Sequence, residues 1–118
     1  MIVAFDVKGT LDAWPKQLGE IMTALKAADN EIIVLTGVTT PHVAPSDITT
    51  AKQYLLQIGI TTAMYDRLVV CPAPHPKSKS AAVKQYGIQV LIDNKEATAK
   101  KASKQGALCL VPWSTAEK

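Results

Sequence analysis

The stretch Ile2-Val3-Ala4-Phe5-Asp6-Val7-Lys8-Gly9-Thr10-Leu11-Asp12 begins with four apolar residues, meets a carboxylate at Asp6 and then turns through Gly9. An unbroken apolar run of this length, with no polar alternation, is what a strand buried on both faces looks like, and such strands belong to parallel sheets covered by helices. A carboxylate at the carboxyl end of that strand faces the crevice in which open α/β sheets hold their ligands. Further apolar runs at 32–36, 68–71, 90–93 and 108–111 alternate with amphipathic stretches. Strands 2–6 to 108–111 therefore predict a five-stranded parallel sheet in a three-layer, Rossmann-like α/β sandwich.

The intervening segments read as helices. The first starts near Pro15, whose fixed φ suits a first helical position, turns Leu18, Ile21, Met22 and Leu25 to one side, and ends about Asp29. The second starts at Ser46 or Asp47 as cap, sends Ile48, Ala51, Leu55 and Ile58 inward, and stops at Gly59. A third spans 78–86 before Gly87, and a fourth, 95–105, offers mostly alanines to the sheet. Two longer connections, 37–45 and the proline-rich 72–76, follow strand ends and are expected to border a site.

With 118 residues, 47% of them hydrophobic and 19% charged, the chain is expected to form one domain, 1–118. No apolar run approaches a membrane span, and the first residues lack a basic leader, so a cytoplasmic protein without a membrane partner is expected. Cys71 and Cys109 are too few and too far apart for a zinc spacing or a disulfide framework. Charge is uneven: residues 1–66 hold four basic and seven acidic side chains (−3), residues 67–118 nine basic and three acidic (+6). The basic half favours an anionic partner, although lysines on helices commonly do no more than solvate a face.

Asp6, Thr36, Lys79 and Asp93 all fall at or just beyond predicted strand ends, where neighbouring parallel strands aim at one crevice. A carboxylate nucleophile, a hydroxyl, a cation and a second carboxylate for a divalent metal are what phosphoryl transfer through an aspartyl-phosphate uses. Each alone is weak, since a carboxylate ending a strand is often a helix cap.

These residues resemble the motifs of the haloacid dehalogenase (HAD) superfamily. Phe5-Asp6-Val7-Lys8-Gly9-Thr10-Leu11-Asp12 is similar to the first motif, D-x-D-G-T-L after an apolar strand, with Lys8 in place of the second aspartate. Val34-Leu35-Thr36-Gly37 is similar to the second, and Lys79 with Val90-Leu91-Ile92-Asp93-Asn94 to the third and fourth, Asn94 standing where a second acid is frequent. The resemblance implies a HAD core of sheet order 3-2-1-4-5 without a cap domain, and a Mg2+-dependent phosphatase or phosphoryl-transfer hydrolase. It implies Asp6 as nucleophile, Thr36, Gly37 and Lys79 as the phosphate site, and Mg2+ held by Asp6, Asp93 and the backbone carbonyl of Lys8. Lys77 is the alternative to Lys79.

Lys8 falls where the family places the acid that protonates the leaving group and later activates water. A lysine is protonated at neutral pH, so it can give a proton but scarcely take one, and loss of a general base typically costs about a hundred- to ten-thousand-fold in rate. Two readings stay open: an enzyme whose activity Lys8 impairs, and a degenerate module that binds a phosphorylated ligand or protein. Asp12 could stand in for the missing carboxylate, and His42 and His75 could carry protons from the loops, although most loop histidines do neither. Trp14 and Trp113 read as covers of core edges. With about one helix in each interval between motifs the site is expected to be open, which suits a macromolecular phosphorylated substrate or closure by a second subunit. A receiver domain shares the alternation, but its phosphoacceptor ends the third strand, where this chain has Cys71-Pro72.

Overall fold

Side chains alternate across a strand, so a strand whose every residue is apolar needs cover on both faces. In the computed structural model, which describes residues 1–37 and 48–113, this is what the chain builds. Strands β1 (Ile2–Phe5), β2 (Glu31–Thr36), β3 (Arg67–Val70), β4 (Val90–Ile92) and β5 (Leu108–Leu110) form one parallel sheet of order β3-β2-β1-β4-β5. The register sets Phe5 beside Val34 on one side and Ile92 on the other.

Helices α1 (Pro15–Ala27) and α2 (Ile48–Gln57) cover one face, α3 (His75–Tyr86) and α4 (Glu96–Ser103) the other. Parallel crossovers are right-handed, so a chain that steps outward from β1 to β3 and then returns across β1 to β4 must change face. Val3, Phe5, Ile32 and Val34 pack with Leu18, Met22 and Leu55 under α1 and α2. Ala4, Ile33, Leu35 and Leu91 pack with Ala82, Val83 and Ala102 under α3 and α4. Both helical layers are basic, α1 and α2 with three lysines and one glutamate, α3 and α4 with five lysines and one glutamate.

Several boundaries differ from the sequence reading. Helix α3 begins at His75 rather than near residue 78, since Pro76, without an amide hydrogen, fits a first turn where that hydrogen has no partner. Helix α1 closes at Ala27, before Asp29 adopts a left-handed φ of 65°. Ile21 and Ile48, expected inward, are exposed. Strand β5 has one bare side, with Leu108 and Leu110 exposed, because α1 lies over the centre of the sheet and does not reach this edge. The expected caps Ser46 and Asp47, and His42, lie outside the described residues. Cys71 and Cys109 are free thiols near opposite edges of the sheet.

Candidate functional site

Asp6 is the first residue beyond β1, where its backbone amide still donates to the Ile92 carbonyl at 2.9 Å. The chain then tightens: Leu11 N donates to the Asp6 carbonyl at 3.2 Å and Asp12 N to that of Val7 at 3.1 Å. Gly9 makes the turn possible with a φ of 81°, and a Cβ there would lie 2.2 Å from the Asn94 amide nitrogen, so both backbone conformation and space require glycine. Lys8 sits on the outside of this turn. Its side chain is 65% exposed, 3.9 Å from the Asp12 carboxylate.

Lys79, on the second turn of α3, reaches inward and donates from Nζ to Asp6 Oδ1 and, at 2.9 Å, to Asp93 Oδ2. All three are buried. Asp93 Oδ1 accepts from the Lys95 amide at 2.9 Å, so both oxygens of this carboxylate are engaged. Thr10 links the two loops: its hydroxyl donates to Asp6 Oδ2 at 3.2 Å and accepts from the Asn94 amide at 3.1 Å. Lys77, the alternative cation, is exposed on the outer face of α3.

One ammonium against two carboxylates leaves the buried cluster one negative charge in excess. Burial, helped by the Asp93 charge, pushes the Asp6 carboxyl up to about 6 against the pull of Lys79. For Lys79 burial works against the charged form, but the two carboxylates outweigh it and its pKa rises. The ammonium is thus fixed as a cation, while Asp6 is the group poised to change state.

Asn94 supplies what the motif reading did not assign. With its amide turned to satisfy both ends, it donates to the Lys8 carbonyl at 2.9 Å and to Asp6 Oδ2 at 3.0 Å. Rotated by half a turn, it presents its oxygen at the same place. Adjacent oxygens of an octahedral Mg2+ shell with bonds of 2.0–2.1 Å are separated by about 3.0 Å, so the Asn94 oxygen then stands at ligand spacing from both the Lys8 carbonyl and Asp6 Oδ2. Among the described residues no three His, Cys, Asp or Glu side chains form a metal-binding group, so a cation here depends on this carbonyl and amide. Asp93, expected as a ligand, holds Lys79 through Oδ2 and the start of α4 through Oδ1. The signal for Asn94 was its place beside Asp93, which strand alternation alone does not rank.

Thr36 and Gly37 end β2 on the opposite flank of Asp6, both buried. A Cβ on Gly37 would lie 2.5 Å from the His75 ring, which therefore covers that backbone at the crevice rim. Burial, with the Lys79 charge, lowers the His75 pKa, opposed by Asp93, so the imidazole is neutral at pH 7. Asp12 does not turn to Asp6: Oδ1 accepts from Gly9 N at 2.6 Å and Oδ2 from the Tyr54 hydroxyl at 2.8 Å. Burial and this carboxylate push Tyr54 up to about 12. Trp14 is half-buried against the α1–α2 core, and Trp113 is exposed beyond β5.

Solved structures share this fold. An uncharacterized protein from Corynebacterium glutamicum superposes with a TM-score of 0.67 at 14% identity, over 98% of this chain and 87% of that one. A HAD family enzyme from Bacteroides thetaiotaomicron, solved as a magnesium complex, gives 0.55 at 17% identity over 83% of this chain, which spans only about half (52%) of the enzyme. A universal stress protein in complex with cAMP gives 0.54 at 10% identity, over 94% of each chain. No family model and no curated protein matches the sequence. At such identities the likeness establishes the α/β, Rossmann-like fold and no activity.

Proposed function

We propose that the chain is a HAD-like, Mg2+-binding phosphohydrolase domain whose nucleophile is Asp6. The observation that carries this is the gathering of Asp6, Lys79, Asp93, Asn94 and the Lys8 carbonyl at the adjacent ends of β1 and β4. Asp6 Oδ2 faces the Lys8 carbonyl and Asn94, the side where Mg2+ would be held, and Oδ1 faces Lys79. Oδ1 is then the oxygen that attacks phosphorus, with Lys79 shifting to the transferred phosphoryl oxygens as the new bond forms. The bond from phosphorus to the leaving oxygen breaks, and that oxygen takes a proton. Water then cleaves the aspartyl-phosphate, returning Asp6 and inorganic phosphate. Bound Mg2+ would neutralise charge on the phosphoryl oxygens. Thr36 and Gly37, on the far side of Asp6, complete the phosphate-facing rim.

A second reading has its own observation. The Lys8 side chain points to solvent and Asp12 is committed to Gly9 and Tyr54, so neither puts a carboxylate above Asp6 to act as base. That favours a module which binds phosphate, or becomes phosphorylated and stays so. Hydrolysis of an aryl phosphate with Mg2+ separates the two when measured on the parent, Asp6→Asn and Lys8→Asp. Activity in the parent that disappears in Asp6→Asn supports the enzyme. Activity found only in Lys8→Asp supports the module, and none in any of the three defeats the enzyme reading.

A further inference from the structure

Helices α3 and α4 lie side by side, and between them runs a groove of about 380 Å3 lined by Lys77, Ser80, Lys84, Lys101, Lys104 and Gln105, with no acidic residue. From this groove we infer a binding track for the phosphodiester backbone of single-stranded nucleic acid, leading to the Asp6 crevice. The step from track to substrate rests on the phosphohydrolase reading; the track itself does not.

Two facts separate the groove from an ordinary solvated face. Solvated helices usually interleave acids with lysines at i,i+4, each pair adding a few tenths of a kcal/mol. Here Lys77, Lys84, Lys95, Lys100, Lys101 and Lys104 are exposed against a single exposed acid, Glu96. Lysines in a last turn are favoured by the helix dipole, which accounts for Lys84, Lys100 and Lys101. It does not account for Lys77, which stands in the first turn of α3, where a cation is disfavoured. Like charges are therefore collected here at a local cost.

Geometry points to the polymer. Lys77 and Lys84 are seven residues apart on one helix, about 10.5 Å along the axis, close to the rise of three stacked nucleotides at about 3.4 Å each. Lys101 of α4 and Lys104, the residue that caps it, line the other side. Lys77 stands in the first turn of α3, and Lys79 two residues on holds Asp6, so the Lys77 end of the groove lies at the same end of the helix as the crevice. No large apolar side chain is exposed on α3 or α4, which removes the wedge a membrane-surface helix needs. No aromatic ring lines the groove either, so contact is with the backbone and indifferent to base sequence.

The test is fluorescence anisotropy of a fluorescein-labelled, 5′-phosphorylated twelve-nucleotide oligothymidylate, titrated with Asp6→Asn protein in EDTA across a salt series. Four lysines on four phosphates give a slope of log affinity against log salt of about −2.8 for a single strand. Lys84→Ala/Lys101→Ala/Lys104→Ala, all exposed positions, should flatten it to about −0.7. An unchanged slope in the triple variant overturns the inference, as does equal binding of polyglutamate or of phosphatidylserine vesicles. Oligonucleotide binding without phosphate release by the Mg2+-loaded parent would sustain the track and overturn the oligonucleotide as substrate, with aryl phosphate hydrolysis deciding the phosphatase. Aryl phosphate hydrolysis without oligonucleotide binding would overturn the track and sustain the phosphatase.

Discussion

Replacing Asp6 by asparagine should make the metal-free protein more stable at neutral pH. Asp6 and Asp93 share one buried ammonium, and burial raises the Asp6 carboxyl from 3.8 to about 6. A carboxyl whose folded pKa exceeds its unfolded value lends stability that is whole below the unfolded value and is lost as pH rises through the folded one. At 1.36 kcal/mol per tenfold, a rise of this size, already net of the pull of Lys79, caps the loss at about 3 kcal/mol, and a gain of roughly 1–3 kcal/mol is expected. Asparagine removes the surplus charge and keeps an oxygen for Lys79, while the Asn94 amide turns to accept from the new amide group. In a domain of this size that gain corresponds to about 4–12 °C in Tm. Circular dichroism melts of parent and Asp6→Asn in EDTA from pH 3.5 to 8 check it. The difference should be largest above pH 6 and vanish near pH 4. A variant that melts below the parent at pH 7.5, or a difference independent of pH, would refute the charge argument.

Lys79→Met strands two buried carboxylates and should cost about 3–5 kcal/mol at pH 7.5, read by urea melts, with part of the loss recovered as pH falls, since without the pull of Lys79 Asp6 takes up its proton more readily than in the parent. Gly9→Ala forces a side chain onto Asn94 at a left-handed φ; a loss of about 1–3 kcal/mol is expected, with Mg2+ binding abolished in calorimetry. Asn94→Asp adds an anionic ligand and should tighten Mg2+ about tenfold by the same method; unchanged affinity would remove Asn94 from the metal site. Tyr65→Phe should be neutral or stabilising by up to about 1 kcal/mol in urea, because the buried hydroxyl has no hydrogen-bond partner among the described residues.

Much of this arrangement is written locally in the chain. Four consecutive apolar residues before Asp6 demand cover on both faces, and this, with the handedness of crossovers, leaves few sheets to choose from. The same rule sends Asp6, Thr36 and Asp93 to one end of the molecule, and the helical pitch carries Lys79 inward while Lys77 stays out. Peptide orientation inside a turn is another matter. That Lys8 offers its carbonyl to the site and its ammonium to water depends on the φ of Gly9 and on Asp12 catching the Gly9 amide. Which of Asp93 and Asn94 faces Asp6 depends likewise on Thr10, a contact 84 residues away in sequence. Ile21 and Ile48 have the helical spacing of core residues, but each helix meets the sheet along a stripe too narrow to include them.

The groove lysines of α3 and α4, exposed beside a single exposed acid, Glu96, give that side of the molecule its densest positive charge. On a cation-exchange matrix it will be held by the α3–α4 side, with the α1–α2 side turned to the mobile phase. Retention should therefore exceed what a formal charge of +3 gives when spread evenly, and reversing Lys101 and Lys104 should shorten it more than reversing Lys16 and Lys26.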